Sequence, residues 1–324
     1  MLCPLYTPIT VDLRNVSIFS ISIDATPRLA HVAVLEKAMT MIMTKSILIT
    51  GCSSGIGYTV AKGLQDRGYD VYATARKPDD VEKLKQEGLT SFLLDLSDSH
   101  SINLALEKVL ACTNGKLYGL FNNGAFGQPG AVEDLSRQVL ENQFSHNFFG
   151  THELTNLVLP IMRQQGEGRI IYNSSILGFI ALPYRGAYNA SKFALEGLVD
   201  TLRLELMLTK QNIYTSLIEP GPITSRFRPN AHAAFRQNID PINSAHKSFY
   251  EAMEVRLQKK GNAVPFTLPP EAVLKKVIHA LESKRPKVRY PVTFPTYLFA
   301  FLKRVLTHRA MDRMLIRTSG EAKR

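Results

Sequence analysis

Ser46-Ile47-Leu48-Ile49-Thr50-Gly51-Cys52-Ser53-Ser54-Gly55-Ile56-Gly57 is the stretch on which the fold turns. Its first five residues are a short apolar run of the kind that forms a fully buried strand. Three glycines follow within seven residues, and Tyr58 to Arg67 then shows helical spacing that stops at Gly68. A glycine cluster alone says little. Between a strand and a helix, it lets the chain turn tightly, bring backbone N–H groups up to a pyrophosphate, and pack the helix on the sheet. The helix N-terminus then faces the phosphate charge. Gly51, Ser53, Ser54, Gly55, Ile56 and Gly57 are therefore expected to contact a dinucleotide.

The pattern repeats outward from that loop. Further apolar runs lie at Asp70–Thr74, Phe92–Leu94, Leu117–Phe121, Arg169–Asn173 and Ile213–Ile218. Helical patterns separate them, including Asp98–Leu110, Ser136–Leu159 and Ala187–Leu208. Strand and helix in alternation build a parallel sheet covered on both faces, and right-handed crossovers make it doubly wound. The expectation is an α/β Rossmann-type domain over residues 45–290, cofactor-binding and catalytic, with a C-terminal helical lid. Residues 1–44 fit no element of that plan and read as an extension outside the fold, with Met41 or Met43 as an alternative start. Residues 291–324 read as a basic, helical tail.

Nineteen positions past Gly57, where an NAD-binding fold places an acid for the ribose 2′-hydroxyl, stand Arg76 and Lys77. An acid would repel a 2′-phosphate, whereas a guanidinium binds one through charge-assisted pairs. The expected cofactor is NADP(H). Asp95, at the end of the third strand, suits the adenine edge, or is an exposed turn residue.

The composition, 45% hydrophobic and 21% charged, is that of an ordinary globular chain. Three cysteines are too few and too scattered for a disulfide framework or a zinc site, and no metal is expected. The net charge of +11 does not point to nucleic acid, because it is localised. Residues 255–324 hold sixteen Lys and Arg against four acids, giving +12, so the remainder sums to −1. The longest suspicious stretch for a membrane span, Tyr290 to Leu302, has thirteen uncharged residues, short of the ~20 that cross a bilayer. A cytoplasmic protein is expected.

Tyr188-Asn189-Ala190-Ser191-Lys192 opens a long helical pattern, and residues four apart share a helix face. A free phenol, with a pKa of ~10, is a poor base near neutrality, and a nearby ammonium favours the phenolate. Such a pair can take a proton from an alcohol or give one to a ketone. Tyr-x-x-x-Lys is common on solvated helices; its weight here comes from Ser174 and Ser175, which end a strand thirteen residues upstream of Tyr188. Ser175 would hold the substrate oxygen. Ser174 is the other candidate hydroxyl, and both could instead serve turn hydrogen bonds.

The set TGCSSGIG, NNGA (Asn122 to Ala125), Ser175, YNASK and EPGP (Glu219 to Pro222) resembles the short-chain dehydrogenase/reductase family, in motif order and spacing from about Lys45 to Arg289. With ATARKPDD, RGAYNASKFALEGL and KVRYPVT, it is most similar to the bacterial YbbO-type branch, itself similar to retinol and 17β-hydroxysteroid dehydrogenases. The resemblance implies a catalytic set of Ser175, Tyr188 and Lys192, with Asn147 holding a proton-relay water. It implies that Asn122 supports the central strand near the cofactor and that Pro220-Gly221 shapes the nicotinamide loop. Two departures stand out. Gly124-Ala125 inverts the usual Ala-Gly, bearing on the cofactor contact at Gly124, and Ser225 replaces a threonine that faces the carboxamide.

The resemblance further implies a small-molecule carbonyl or alcohol as substrate and a homo-oligomer, dimer or tetramer. The branch is associated with NADPH-linked aldehyde reduction, but oxidation of an alcohol would use the same residues, and a non-turning NADPH sensor is a third reading. Between Pro220 and Pro265, Phe227, Phe235, Phe249, Tyr250, Met253 and Phe266 would either line an apolar pocket or form the lid's own core. Tyr297–Leu306, beside Lys303, Arg304 and Arg309, either docks on the domain or lies on an anionic membrane surface as a peripheral contact at the inner membrane.

Overall fold

The first strand, β1 (Ser46–Ile49), shows why the chain layers as it does. Successive side chains of a strand point to opposite faces. Ile47 and Ile49 enter one apolar cluster, with Val60, Leu64, Val277 and Leu281, while Leu48 enters a second, with Leu106, Leu154, Val158 and Leu195. The same alternation splits Leu120 from Phe121, Ile170 from Ile171 and Leu217 from Ile218. A strand buried on both faces needs apolar residues throughout, which is why these runs look continuous in sequence.

This computed structural model describes residues 45–258, 261 and 264–318. The expectation for residues 1–44 lies outside them. Beyond β1 the strands are β2 (Asp70–Ala75), β3 (Thr90–Leu93), β4 (Gly119–Asn122), β5 (Gly168–Asn173), β6 (Ile213–Glu219) and β7 (Arg289–Pro291). Among the described residues they make one seven-stranded sheet, all parallel, in the order β3-β2-β1-β4-β5-β6-β7. The fold is a doubly wound Rossmann sheet. Its order reverses between β1 and β4, and the crevice outside those strand ends is where such sheets bind ligands.

The helices are α1 (Gly55–Gln65), α2 (Pro78–Gln86), α3 (Ser99–Cys112), α4 (Arg137–Phe144), α5 (Gly150–Gln165), α6 (Gly186–Leu208), α7 (Phe227–Asn238), α8 (Lys247–Gln258), α9 (Glu271–Glu282), α10 (Phe294–Val305) and α11 (His308–Thr318). Helix α3 starts where Asp98 accepts a hydrogen bond from the N–H of His100. The continuous helix expected over Ser136–Leu159 is two helices joined by a π-helical turn, Ser145–Phe149. One extra residue in the turn is invisible to apolar spacing. It matters because Asn147 sits in it, and π-turns concentrate at functional sites.

The tail docks on the domain. Phe299 of α10 and Met311 and Leu315 of α11 bury against Ile180, in the loop after β5. The boundary expected at residue 290 falls inside β7, whose three residues pair with β6 through Leu217 and Arg289. A three-residue strand carries no periodicity to read. Among the described residues, no helix is long and apolar enough to cross a membrane, and no cluster of ligating side chains could hold a metal ion.

Candidate active site

The glycine loop runs along the C-terminal end of β1. Gly51 and Gly55 have φ of +71° and +59°, a region that side chains resist. A Cβ on Gly57 would lie 2.2 Å from the carbonyl oxygen of Gly51, so the first turn of α1 packs directly on the loop. Asn123 locks it from the neighbouring strand. Its Nδ2 donates to the carbonyls of Thr50 (2.9 Å) and Gly51 (3.1 Å), and Thr50 Oγ1 accepts from the N–H groups of Asn123 (2.9 Å) and Gly124 (2.8 Å). No acid stands in the first turn of α1, and Ser54 does not cap it with its side chain. The loop and helix end thus present backbone donors suited to a pyrophosphate.

The asparagines need a correction. Asn122 does not face the crevice; it is buried under α5, where its Nδ2 donates to Thr155 Oγ1 at 3.2 Å. Asn123 lines the cavity instead. Period two places Asn122 with Leu120 on the α5 side, so the signal was present in the sequence. Gly124 also lines the cavity, and a Cβ there would meet only the far end of the Leu96 side chain at 2.9 Å and Thr50 at 3.3 Å. The exposed Ala125 follows on the cavity wall, so the inverted pair leaves the crevice open.

At the ribose end, Arg76 is exposed on the cavity rim, and its Nη1 lies 3.4 Å from His146 Nε2. His146 Nε2 in turn is 3.6 Å from Asp95 Oδ1. Burial raises the Asp95 carboxyl, but hydrogen bonds from Ser97 and the nearby His146 and Arg76 outweigh it, and the group sits below the usual carboxylate range. Asp95 is also the turn residue of its loop, accepting from the N–H and hydroxyl of Ser97 at 2.9 and 2.7 Å. His146 was not expected; it comes from the π-helical turn, which no strand-end motif flags. At the opposite wall Arg226 Nη2 donates to the carbonyl of Ser53 at 2.8 Å, strapping the glycine loop to the segment after β6.

Tyr188 and Lys192 face the crevice from the first turns of α6, both buried. Lys192 Nζ donates to the carbonyl of Asn173, at the end of β5, at 2.7 Å, and stands 5.8 Å from the Tyr188 ring centre. Burial pushes the Tyr188 phenol up to about 12, with the Ser175 hydroxyl pulling the other way. Burial pushes the Lys192 ammonium down to about 8, against the Glu196 carboxylate. Ser175 thus approaches the phenol, and its Oγ also accepts from the N–H of Leu177 at 3.1 Å. Ser174 turns away towards Glu196. Of the two hydroxyls, Ser175 is the one placed beside Tyr188.

Asn147 is buried with its side chain fully engaged. Its Oδ1 accepts from the N–H of Phe126 (3.1 Å), and its Nδ2 donates to the Phe126 carbonyl (2.9 Å) and to Ser191 Oγ (3.2 Å). It ties the π-turn to α6 one residue before Lys192. The Pro220 carbonyl accepts from the N–H of Ile176 at 2.9 Å, and a Cβ on Gly221 would lie 2.1 Å from Thr293 Oγ1, so this loop packs on the segment after β7. Ser225 reaches the glycine loop from there, its Cβ 3.0 Å from where a Gly55 Cβ would stand.

Apart from Gly55, Asn122 and Asn147, the expected site residues line one cavity of about 1160 Å³. One end is the dinucleotide crevice. The other is an apolar chamber walled by Leu182, Leu257, Phe266, Leu298, Phe299 and Met314, so lid and tail both contribute walls to it. Phe227 lies 5.3 Å from the Tyr188 ring, edge on, between the two ends. Phe235, Tyr250 and Met253 instead form the lid's own buried core with Ala231 and Ile239.

Residues 45–234 match the family model described as short chain dehydrogenase. The uncharacterized oxidoreductase YbbO of Escherichia coli K12 is 47% identical over 274 residues, covering 85% of this chain and 95% of that protein. Human retinol dehydrogenase 8 is 31% identical over 255 residues, covering 76% and 80%. A short-chain dehydrogenase structure from Streptomyces avermitilis superposes with a TM-score of 0.66 at 24% identity, over 87% of this chain and all of that one. With its strand order, its glycine cradle and its Ser175–Tyr188–Lys192 cluster in one crevice, the chain belongs to the short-chain dehydrogenase family of oxidoreductases.

Proposed function

We propose that the protein is an NADPH-dependent carbonyl reductase acting on lipophilic aldehydes or ketones, with Tyr188 as the proton donor. The observation that carries this reading is the convergence of Tyr188, Lys192 and Ser175 at the junction between a dinucleotide crevice and an apolar chamber. Retinol dehydrogenase 8, by name, acts on a lipophilic alcohol, which fits a chamber of this lining.

The residues fit a dinucleotide. The glycines leave room that a Cβ would fill, the loop N–H groups suit the pyrophosphate, and Arg76 at the rim suits a 2′-phosphate. The bound nicotinamide would supply the hydride. Ser175 holds the carbonyl oxygen of the substrate. Tyr188, with its phenol well above neutrality, keeps its proton until negative charge develops on that oxygen, and then gives it up. The ammonium of Lys192 stabilises the phenolate left behind. Asn147, whose side chain is spent on Phe126 and Ser191, fixes the π-turn against α6 and would hold a relay water only through its main chain.

The test is NADPH oxidation by the full chain against a panel of aldehydes and ketones of graded length, with Tyr188→Phe alongside. Reduction that falls about 10²–10⁴-fold in the variant, with NADPH binding retained, is the expected outcome. A wild type that binds NADPH and reduces nothing would leave the sensor reading.

We place the protein in the cytoplasm and propose two surface roles. Phe149, Leu204, Met207 and Leu208 are exposed on α6 and the π-turn, a face suited to a homodimer. Phe294, Tyr297, Phe301 and Val305 form an exposed stripe along α10 beside Arg304, suited to peripheral contact with an anionic bilayer. Salt-sensitive co-sedimentation with phosphatidylglycerol vesicles, lost in Phe301→Asp, is expected; equal sedimentation of the two chains would remove the membrane role.

A further inference from the structure

Glu196 lies four residues after Lys192 and eight after Tyr188, so three successive turns of α6 present one stripe to the sheet. The end of β5 and the residues after it meet that stripe one by one. Ser175 approaches the Tyr188 phenol, the Asn173 carbonyl accepts from Lys192 Nζ at 2.7 Å, and Ser174 faces Glu196. Gly178 makes room for the last of these contacts, since a Cβ there would lie 2.6 Å from Ser174 Oγ and 3.1 Å from Glu196 Oε1. Tyr188 and Lys192 are accounted for by the chemistry above. A buried carboxylate on the next turn is not.

Glu196 is held from its other side by Arg289 of β7, whose Nη2 is 3.0 Å from Glu196 Oε2. The same guanidinium lies 2.7 Å from Asp200 Oδ2 and 3.1 Å from Glu219 Oε1, on β6. Arg203 adds a second contact to Asp200 at 3.3 Å. The charged groups around Glu196 are thus Arg289, Arg203, Asp200, Glu219 and, along the helix, Lys192. Three carboxyl groups share two arginines, and the buried Lys192 lies one helical turn away from the same cluster.

A buried ammonium without an opposite charge gives up its proton, because burial penalises the charged form. We propose that Glu196 is the counterion of Lys192, a positioning residue that keeps the ammonium charged inside the protein so that it can act on Tyr188. The proposal rests on the reading of Lys192 as the partner of Tyr188. Burial already draws Lys192 down to about 8, with Glu196 as the opposing influence. Burial raises the Glu196 carboxyl above the usual carboxylate range, while the nearby Ser174 and Arg289 pull it back, and Arg289 holds the carboxylate in place. The catalytic helix is thereby tied to β7, outside the segment that carries the catalytic motif.

Glu196→Gln removes the charge and keeps the shape. The expected result is that the alkaline limb of kcat moves down by about 1 pH unit or more, while the NADPH KM stays within about twofold and Glu196→Asp keeps the wild-type limb. Lys192 is also followed without turnover, by ¹³C NMR of protein labelled at lysine Cε, its signal identified as the one missing in Lys192→Met. The same downward shift is expected in Glu196→Gln. An unchanged Lys192 titration overturns the proposal, whatever the activity. Should Glu196→Gln not fold, Ser174→Ala weakens the ionised carboxylate instead and should give a smaller shift of the same sign; none would again overturn it. If the wild type reduces no carbonyl yet the titration shifts, the charge pair stands and the reductase reading falls. If Tyr188 and Lys192 are essential yet no shift appears, the counterion alone falls.

Discussion

Replacing Gly57 by alanine should weaken dinucleotide binding, although the same substitution in a helix is ordinarily stabilising. Glycine costs a helix interior about 0.8–1.0 kcal/mol relative to alanine, and Gly57 lies in the first turn of α1. At this position, however, the new Cβ would stand 2.2 Å from the Gly51 carbonyl oxygen and 2.6 Å from Asn123 Nδ2. Both are fixed atoms, since Asn123 is bonded to Thr50, Gly51 and Asn173. Relief requires the glycine loop to move by about 1 Å, and forced overpacking costs about 1–3 kcal/mol. The helix gain offsets part of that in stability, but not in the displaced phosphate cradle. We expect the NADPH dissociation constant, read by fluorescence titration, to rise about 10–100-fold, each factor of ten being about 1.4 kcal/mol. Gly197→Ala is the control. It lies within α6 with nothing inside 4 Å of its would-be Cβ, so the melting temperature should rise by about 1–4 °C with binding unchanged. If Gly57→Ala binds NADPH as the wild type does, the reading of this loop as a phosphate cradle is refuted.

Two further perturbations probe charge. Arg76→Ala should cut kcat/KM for NADPH about 10–150-fold, the worth of one charge-assisted hydrogen bond of about 1.5–3 kcal/mol, and leave NADH unaffected; equal losses with both cofactors would mean that Arg76 does not read a 2′-phosphate. Burial first, then the neighbouring Glu196 carboxylate, pushes Glu219 up to about 7 despite Arg289. A carboxyl raised in the folded state stabilises fully below its unfolded value and loses that contribution as pH rises through 7. Glu219→Gln should therefore gain in melting temperature relative to wild type between pH 5 and pH 8; a difference constant over that range would contradict the assignment.

The layered architecture was legible because strands buried on both faces must be apolar throughout, and because Gly51, Gly55 and Gly57 have no other common use between a strand and a helix. Tyr188 and Lys192 were legible as a pair through helical spacing, and Ser174 and Ser175 as candidate hydroxyls through their position at a strand end. Asn122 was misplaced although strand alternation with Leu120 already assigned it to the α5 side. The π-turn at Asn147, which also brings His146 to Arg76, leaves no trace in spacing because it adds a single residue to an otherwise amphipathic run.

What the sequence determined by itself, then, is what depends on local period and backbone geometry: the strand and helix alternation, the glycine loop, and the residues that share one helix face. Only the tertiary structure decided which of Ser174 and Ser175 meets the phenol, that the tail walls the apolar chamber, and that Arg289 stands behind Glu196. The pairing of Arg289 with Glu196 joins residues 93 positions apart, and the docking of Lys303 on Phe179 joins residues 124 apart. Their energies come from burial and charge at the meeting point of several elements, and no short stretch of chain contains both partners.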